Sequence, residues 1–269
     1  MKNILKSILP PIFINVIRKL KNSKYGWQGD YSSWDEAKTD STGYETDEIL
    51  NKVRNSLLKV KKGEAVYERD SVLFDEIEYS WPLLSGLMFV AAKSGGILKV
   101  LDFGGSLGST YFQNKNFLDK LINVSWNIVE QKHFVEVGKT DFQDKHLHFY
   151  YDVKTCKEEN NPNTLVLSSV LQYIKEPYKL LDDILKYGFD YILVDRTPFS
   201  TQNKDKIKLQ IVPPNIYKAS YPCYFFDQDY FERYFVSKQY KLIEIFDALD
   251  GSGTDYKFKG MILKKDNNV

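Results

Sequence analysis

Two carboxylates and a run of small residues between them hold the most evident chemistry in this chain. Leu101-Asp-Phe-Gly-Gly-Ser-Leu-Gly108 closes an apolar stretch with Asp102 and then presents bare backbone at Gly104, Gly105 and Gly108. Without a Cβ, such positions take positive φ and let a ligand approach the peptide groups closely. Val124-Ser-Trp-Asn-Ile-Val-Glu130 ends in a second acid, 22 residues beyond Gly108, near the roughly 20-residue spacing at which an acid meets a cofactor ribose. His148-Phe-Tyr-Tyr-Asp152 ends in a third, suited to accept from an adenine exocyclic amine. The simpler reading of Asp152 is that it starts a turn.

The glycine run can be weighed against three ligands. A phosphate-cradling loop needs Gly-Lys-Ser/Thr, whereas Gly108 is followed by Ser109 and Thr110. A dinucleotide fingerprint needs Gly-x-Gly-x-x-Gly, and here the order is Gly-Gly-x-x-Gly. S-adenosylmethionine has no pyrophosphate but carries an ammonium and a carboxylate, which suit an acid beside open backbone. A plain strand-to-helix turn would also explain the glycines; Glu130 at its spacing favours the S-adenosylmethionine reading.

The elements that must position these groups alternate. Apolar runs at Lys99–Asp102, Val124–Glu130, His148–Asp152, Thr164–Ser168 and Tyr191–Asp195 read as five strands separated by helices, which implies a parallel sheet covered on both faces. Lys241–Phe246 and Tyr256–Lys264 are joined by Asp250-Gly-Ser-Gly-Thr254, a link suited to an antiparallel hairpin and too short for a parallel crossover. In such folds ligands sit outside the carboxyl ends of the strands. Ser168, Ser169, Gln172 and Tyr173 therefore line the methyl-transfer end, and Asp195 and Arg196 follow the fifth strand. Asp195 is the expected base and Arg196 the partner of acceptor charge; a turn cap and an ordinary ion pair are the plainer alternatives. His133 is the best placed of the three histidines. Between the fifth and sixth strands, residues 197–227 form an aromatic insertion without evident regular structure. Tyr217, Tyr221 and Tyr224 could stack on a sugar ring, with Tyr221 the favoured acceptor residue; Phe225 and Phe226 read as anchors for a helix that Asp227 begins.

Composition bounds the rest. A chain of 269 residues, 43% hydrophobic, can bury a full core. With 37 Lys and Arg against 36 Asp and Glu there is no basic field for nucleic acid. Two cysteines, Cys156 and Cys223, make neither a disulfide framework nor a metal-ligand spacing, which fits a reducing cytoplasm. Met1 to Lys24 is amphipathic and basic, too short to span a bilayer and without a cleavage site. It either packs on its own domain or lies on an anionic membrane surface, making the protein peripheral to the inner membrane. Residues 1–96 read as an N-terminal helical cap, with an aromatic glycine-broken loop at Tyr25–Trp34 and helices around Ile49–Val60 and Ser71–Ser94, the latter kinked or split by Pro82. Residues 97–265 read as the core.

Leu101–Gly108, Val129-Glu130, Leu167-Ser-Ser-Val-Leu-Gln-Tyr-Ile174 and Val194-Asp-Arg-Thr-Pro-Phe-Ser200 resemble the successive motifs of class I S-adenosylmethionine-dependent methyltransferases. Leu9-Pro-Pro, Tyr25-Gly-Trp, Tyr31-Ser-Ser-Trp34, Glu68-Arg-Asp-Ser71, Tyr79-Ser-Trp-Pro82, Tyr111-Phe-Gln-Asn114, Ala219-Ser-Tyr-Pro-Cys223, Phe246-Asp-Ala-Leu-Asp250 and Phe258-Lys-Gly260 extend the resemblance to methyltransferases encoded among bacterial surface-polysaccharide genes. It covers nearly the whole chain. Ser106 departs from the general motif, where a middle glycine is common. The resemblance implies a Rossmann-like fold with a seven-stranded, mostly parallel sheet, and O-methylation of a sugar hydroxyl or phosphate-linked group on a capsule or O-antigen precursor. No metal is expected, because Ser168-Ser-Val-Leu-Gln172 supplies no acid after the fourth strand. Two other functions stay open at this point: an NAD(P)-dependent sugar oxidoreductase, and a catalytically silent partner subunit.

Overall fold

The computed structural model describes residues 24–43, 46–69 and 71–266; the amphipathic segment Met1 to Lys24, all but its last residue, lies outside the described residues, and with it any membrane-surface role. Among them the chain forms two compact units: residues 24–43 with Ile207–Cys223, and Thr46–Lys206 with residues 224–266.

The larger unit is a doubly wound sheet. Strands β4 (Ile97–Phe103), β5 (Asn123–Val129), β6 (Leu147–Tyr150), β7 (Thr164–Ser168) and β8 (Tyr191–Ser200) run parallel in the order β6-β5-β4-β7-β8. Chain order thus reverses at β4, the position at which open α/β sheets leave a crevice. The hairpin β11 (Tyr240–Asp247) and β12 (Tyr256–Lys265) closes it, β12 pairing antiparallel with β8. Central strands are buried on both faces, as parallel sheets require: Leu98, Val100, Leu101, Leu165, Val166, Ile192 and Leu193 are all solvent-inaccessible.

Side-chain alternation assigns the helices to opposite faces. Helix α3 (Trp81–Lys93) brings Gly86 so close to Leu193 and Ile262 that a Cβ there would meet both at 3.1 Å. On the other face, Ile192, Val194, Met261 and Leu263 share one core with Cys156 of α6 (Val153–Asn160), Leu181 and Ile184 of α7 (Pro177–Leu185), and Phe231 and Phe235 of α8 (Gln228–Ser237). Asp227 begins α8, its carboxylate accepting from the amides of Asp229 and Tyr230. Phe225 and Phe226 beside it are fully buried anchors. Helices α4 (Ser109–Leu118) and α5 (Lys132–Val137) follow β4 and β5.

Three expectations about the cap need correction. The stretch Ser71–Ser94 is not one kinked helix: β2 (Tyr67–Arg69) and β3 (Val72–Phe74) form a hairpin, and Pro82 stands in the first turn of α3, where its missing N–H and fixed φ are tolerated. The helix α2 (Thr46–Lys61), this hairpin and α3 belong to the same unit as the sheet, so the partition does not fall at residue 96. Tyr25–Trp34 is no loop either. It contains β1 (Gly26–Tyr31), followed by α1 (Trp34–Thr39).

In the smaller unit, β1 pairs antiparallel with β9 (Lys206–Ile211), Gly26 opposite Ile211 and Tyr31 opposite Ile207. The register shifts between Gln28 and Tyr31, where Gly29 has φ +74°, a backbone suited to a bulge. The insertion 197–227 therefore has regular structure: β8 continues to Ser200, and β9 and β10 (Ser220–Asp227) follow. Thr42 and Ser220 fasten the unit reciprocally, the Thr42 amide donating to Ser220 Oγ (2.8 Å) and the Ser220 amide to Thr42 Oγ1 (3.0 Å). No helix of the described residues is long and apolar enough to cross a membrane.

Candidate active site

The glycine turn after β4 is held by its neighbours. The Gly104 amide donates to Val129 O at 2.9 Å, tying the turn to the end of β5. Gly104 (φ +71°) and Gly108 (φ +103°) occupy the left-handed region, and so does Ser106 at φ +55°. Gly105 does not; it is glycine for space, because a Cβ would overlap the Asp102 carboxyl. At Gly104 a Cβ would come within 2.5 Å of Val170, so the segment after β7 lies directly over this turn.

Asp102 is buried behind the loop, 1% exposed, and Oδ2 accepts from Trp126 Nε1 at 3.0 Å. Desolvation raises its pKa to about 7, against the Trp126 bond, with the Glu130 charge adding to the rise. Asp102 thus supports the turn from within the core. Glu130, partly exposed immediately after β5, accepts from the Gln131 amide at 2.6 Å and from the Ser106 backbone. Burial raises its pKa, and these two bonds oppose the rise. A carboxylate has about four acceptor positions, so capacity remains on Glu130 for further donors.

Asp152 is not a strand end. Strand β6 stops at Tyr150, and Asp152 is the exposed N-cap of α6, Oδ1 accepting from the Thr155 amide (2.8 Å) and Oδ2 from Thr155 Oγ1 (2.9 Å). These bonds lower its pKa. His133 lies in α5 with Nε2 buried and unpartnered among the described residues; His146 Nδ1 bonds Val124 O at 2.9 Å.

The ends of β7 and β8 converge. Ser168 Oγ is 3.5 Å from Asp195 Oδ2, and the Ser169 amide donates to Asp195 O at 3.0 Å. Buried Gln172 donates from Nε2 to both Ser169 Oγ and Arg196 O, each at 3.1 Å. Tyr173 ends the 3-10 turn Leu171–Tyr173 that carries this glutamine. Asp195 and Arg196 do not follow the fifth strand as expected; they lie within β8, which runs five residues past Asp195 because β12 pairs along it. Arg196, at φ +51°, is a break in that pairing, between the Lys259 and Met261 registers. Its guanidinium forms a two-pronged pair with Asp250, at 2.8 Å from Nε and 3.2 Å from Nη2. Asp195 is 1% exposed, and desolvation raises its pKa to about 6; Arg196 opposes and Asp250 reinforces that shift.

A narrow cavity of about 20 Å³ opens beside Ser168, Asp195 and Arg196. Its opposite wall comes from elements to which sequence reasoning gave no role: Tyr67 and Arg69 of the β2–β3 hairpin, Ser80 before α3, and Ser109 and Thr110 at the start of α4. Glu68 fixes the hairpin there, accepting from the Ser71 amide (2.6 Å) and from Ser109 Oγ (2.5 Å). The signal available was Glu68 itself, a charged residue only 1% exposed, but nothing in a single sequence marks it as buried. Tyr221 belongs to the smaller unit, its hydroxyl 3.5 Å from that of Tyr217, whereas the Tyr224 hydroxyl in the larger unit donates to Lys175 O at 3.3 Å. No group of three or more His, Cys, Asp or Glu among the described residues could hold a metal ion.

Strand order, glycine turn, following acid and closing hairpin together define a Rossmann-like α/β fold of the class I methyltransferase type. No family model matches the chain, and no curated protein does. Similar solved structures include the N-terminal domain of EvdMO1 in the presence of SAH and D-fucose, at 13% identity and TM-score 0.49, covering 83% of this chain and 98% of that one. Another is an S-adenosylmethionine-dependent methyltransferase from Clostridium acetobutylicum, at 9% identity and TM-score 0.47, covering 71% and 93%. A third is the 1,6-didemethyltoxoflavin-N1-methyltransferase of Burkholderia thailandensis, at 10% identity and TM-score 0.46, covering 84% and 92%.

Proposed function

We propose that the chain is an S-adenosylmethionine-dependent methyltransferase. The observation that carries this is the joining of Glu130, after the second parallel strand, to the glycine turn after the first through the Ser106 backbone. That pairing offers ribose-binding carboxylate and open peptide groups side by side, with no phosphate-binding lysine. Gly104, Gly105 and Gly108 would give the cofactor backbone access, Glu130 would accept from its ribose hydroxyls, and Ser168 and Ser169 would border its methionine end. Asp102 acts through the loop as a positioning residue. Asp152 would reach an adenine amine only by sharing oxygens that already cap α6.

Bound S-adenosylmethionine supplies an electrophilic methyl group on a sulfonium. Asp195 is the proton acceptor for the incoming nucleophile, buried enough to be a stronger base than an ordinary carboxylate. Arg196, steadied by Asp250, keeps positive charge beside it, and Tyr173 ends the turn whose Gln172 bonds Arg196 O. Tyr221 lies in the other unit and is given no part. Alignment of acceptor and methyl is the larger contribution to rate, up to ~7–11 kcal/mol in favourable cases. The acceptor we favour is a sugar hydroxyl or a phosphate-linked group on a surface-polysaccharide precursor, a reading supported by the motif resemblance along the chain.

Calorimetry with S-adenosylmethionine, S-adenosylhomocysteine and NAD(H) tests the reading. Heat with the first two alone is the expected result; binding of NAD(H) instead would return the dehydrogenase reading. Mass spectrometry of glycans from a deletion strain, searched for loss of one methyl substituent, tests the acceptor.

A further inference from the structure

The cavity beside Asp195 carries a hydrogen-bonding pattern that selects among acceptors. Two of its lining residues hold a buried polar atom with no hydrogen-bond partner among the described residues: Asp195 Oδ1 and Ser80 Oγ. Each is left over after its local duties. Ser80 occupies the N-cap position of α3 yet its side chain makes no capping bond, although it is only 3% exposed. Arg69, also in the lining, is ion-paired, Nη1 lying 3.1 Å from Glu78 Oε2, and its guanidinium lies over Phe74. Asp195 turns Oδ2 towards Ser168 and leaves Oδ1. An unpaired buried polar group is costly, and Asp195 Oδ1 and Ser80 Oγ, on residues that line one void of about 20 Å³ beside the ion-paired Arg69, point to a single group of matching chemistry.

Resting on the methyltransferase reading, we propose that this cavity seats the acceptor's reacting group, that the group is a hydroxyl, and that Arg69 and Ser80 determine that specificity. A void of this size admits one water-sized group. A hydroxyl has one hydrogen for Asp195 Oδ1, one lone pair for Ser80 Oγ and a second free to attack the methyl carbon, with the Arg69 cation beside it. An ammonium has no lone pair to offer and would lie beside a cation. A phosphate or carboxylate oxygen has no proton for Asp195 and would face its charge. In the transfer, the hydroxyl proton passes to Asp195 Oδ1 as the oxygen bonds to the methyl carbon. The methyl–sulfur bond breaks with its electron pair going to sulfur, and a neutral thioether leaves.

The test uses methyl-¹³C S-adenosylmethionine, the full-length protein, and an extract of glycans and metabolites from cells lacking the gene. Carbon NMR of the products separates a methyl ether, an N-methyl group and a methyl phosphate, the last by its splitting to phosphorus. A methyl ether is expected. Ser80→Ala and Arg69→Met should each label at least tenfold more slowly, with S-adenosylmethionine affinity within twofold of wild type; Ser80→Ala removes no capping bond, so it keeps the comparison independent of folding. Label on nitrogen or on a phosphate oxygen, or wild-type rates in both variants, overturns the assignment. Absence of S-adenosylmethionine binding, or binding with no label transferred at all, sinks the methyltransferase reading instead.

Discussion

Gly105 lies against the carboxyl of Asp102 so tightly that no side chain can be added there. Asp102 in turn cannot retreat, because it is fully buried and bonded to Trp126. The second glycine of the loop is thus fixed by a steric demand from the strand that precedes it. Gly105→Ala should destabilise the protein by about 1–3 kcal/mol, the usual range for overpacking, and weaken S-adenosylmethionine binding. Denaturant unfolding and calorimetry measure both; wild-type stability would show that the loop has slack.

Glu130→Ala removes the acceptor we assign to the ribose. Two hydrogen bonds to a charged group, each worth about 1.5–3 kcal/mol, total about 3–6 kcal/mol, so affinity should fall by about 100-fold or more. Unchanged affinity would refute the assignment. Glu130→Gln should lose less, since it keeps one acceptor oxygen.

Asp195→Asn should slow methyl transfer by roughly 100-fold or more while leaving cofactor affinity near wild type. With a pKa of about 6 in the wild type, the rate should rise as pH passes through that value, because only the ionised form accepts a proton. A flat profile from pH 5 to 8 in single-turnover measurements would remove Asp195 from the mechanism.

Asp250 raises the Asp195 pKa by its charge. Asp250→Asn should therefore move the inflection of the pH–rate profile to lower pH, at some loss of rate as Arg196 loses its two-pronged partner. An inflection moved upward would contradict the electrostatic account.

Asp102 makes folding pH-dependent. Its pKa is about 7 in the folded chain against 3.8 ordinarily, so the native state binds the proton more tightly and Asp102's contribution to stability is fully present below pH ~4. It is lost as pH rises through about 7. Asp102→Asn, still able to accept from Trp126, should flatten that decline in melting temperature between pH 4 and 7. An equally steep decline in the variant would assign it to other groups.

The sheet and its chemistry were legible in the sequence where the signal is local. The runs ending at Asp102, Glu130 and Ser168 are short, apolar and followed by glycine, acid or serine, and the structure places strands there. Structure made by distant pairing was not legible. Strand β1 exists because β9, about 180 residues later in sequence, completes its ladder, and glycine-rich, aromatic Tyr25–Trp34 has no periodicity of its own. The same holds for β8 beyond Asp195, extended by its partner β12. Pro82 read as a break because a proline's position relative to a helix start depends on where the hairpin before it ends. At the site, the acids were legible by type and spacing, whereas Arg69 owes its place to the Glu68 tie between the hairpin and α4, and Ser80 to where α3 begins.

The reciprocal pairing of β1 with β9 bears on how the chain can be shortened. Removing residues 1–45 while keeping Ile207–Cys223 would leave the β9 ladder open along one side, an unpaired edge of the kind that recruits other chains. Deletion of the described N-terminal segment, residues 24–43, should therefore cost solubility, read as concentration-dependent aggregation.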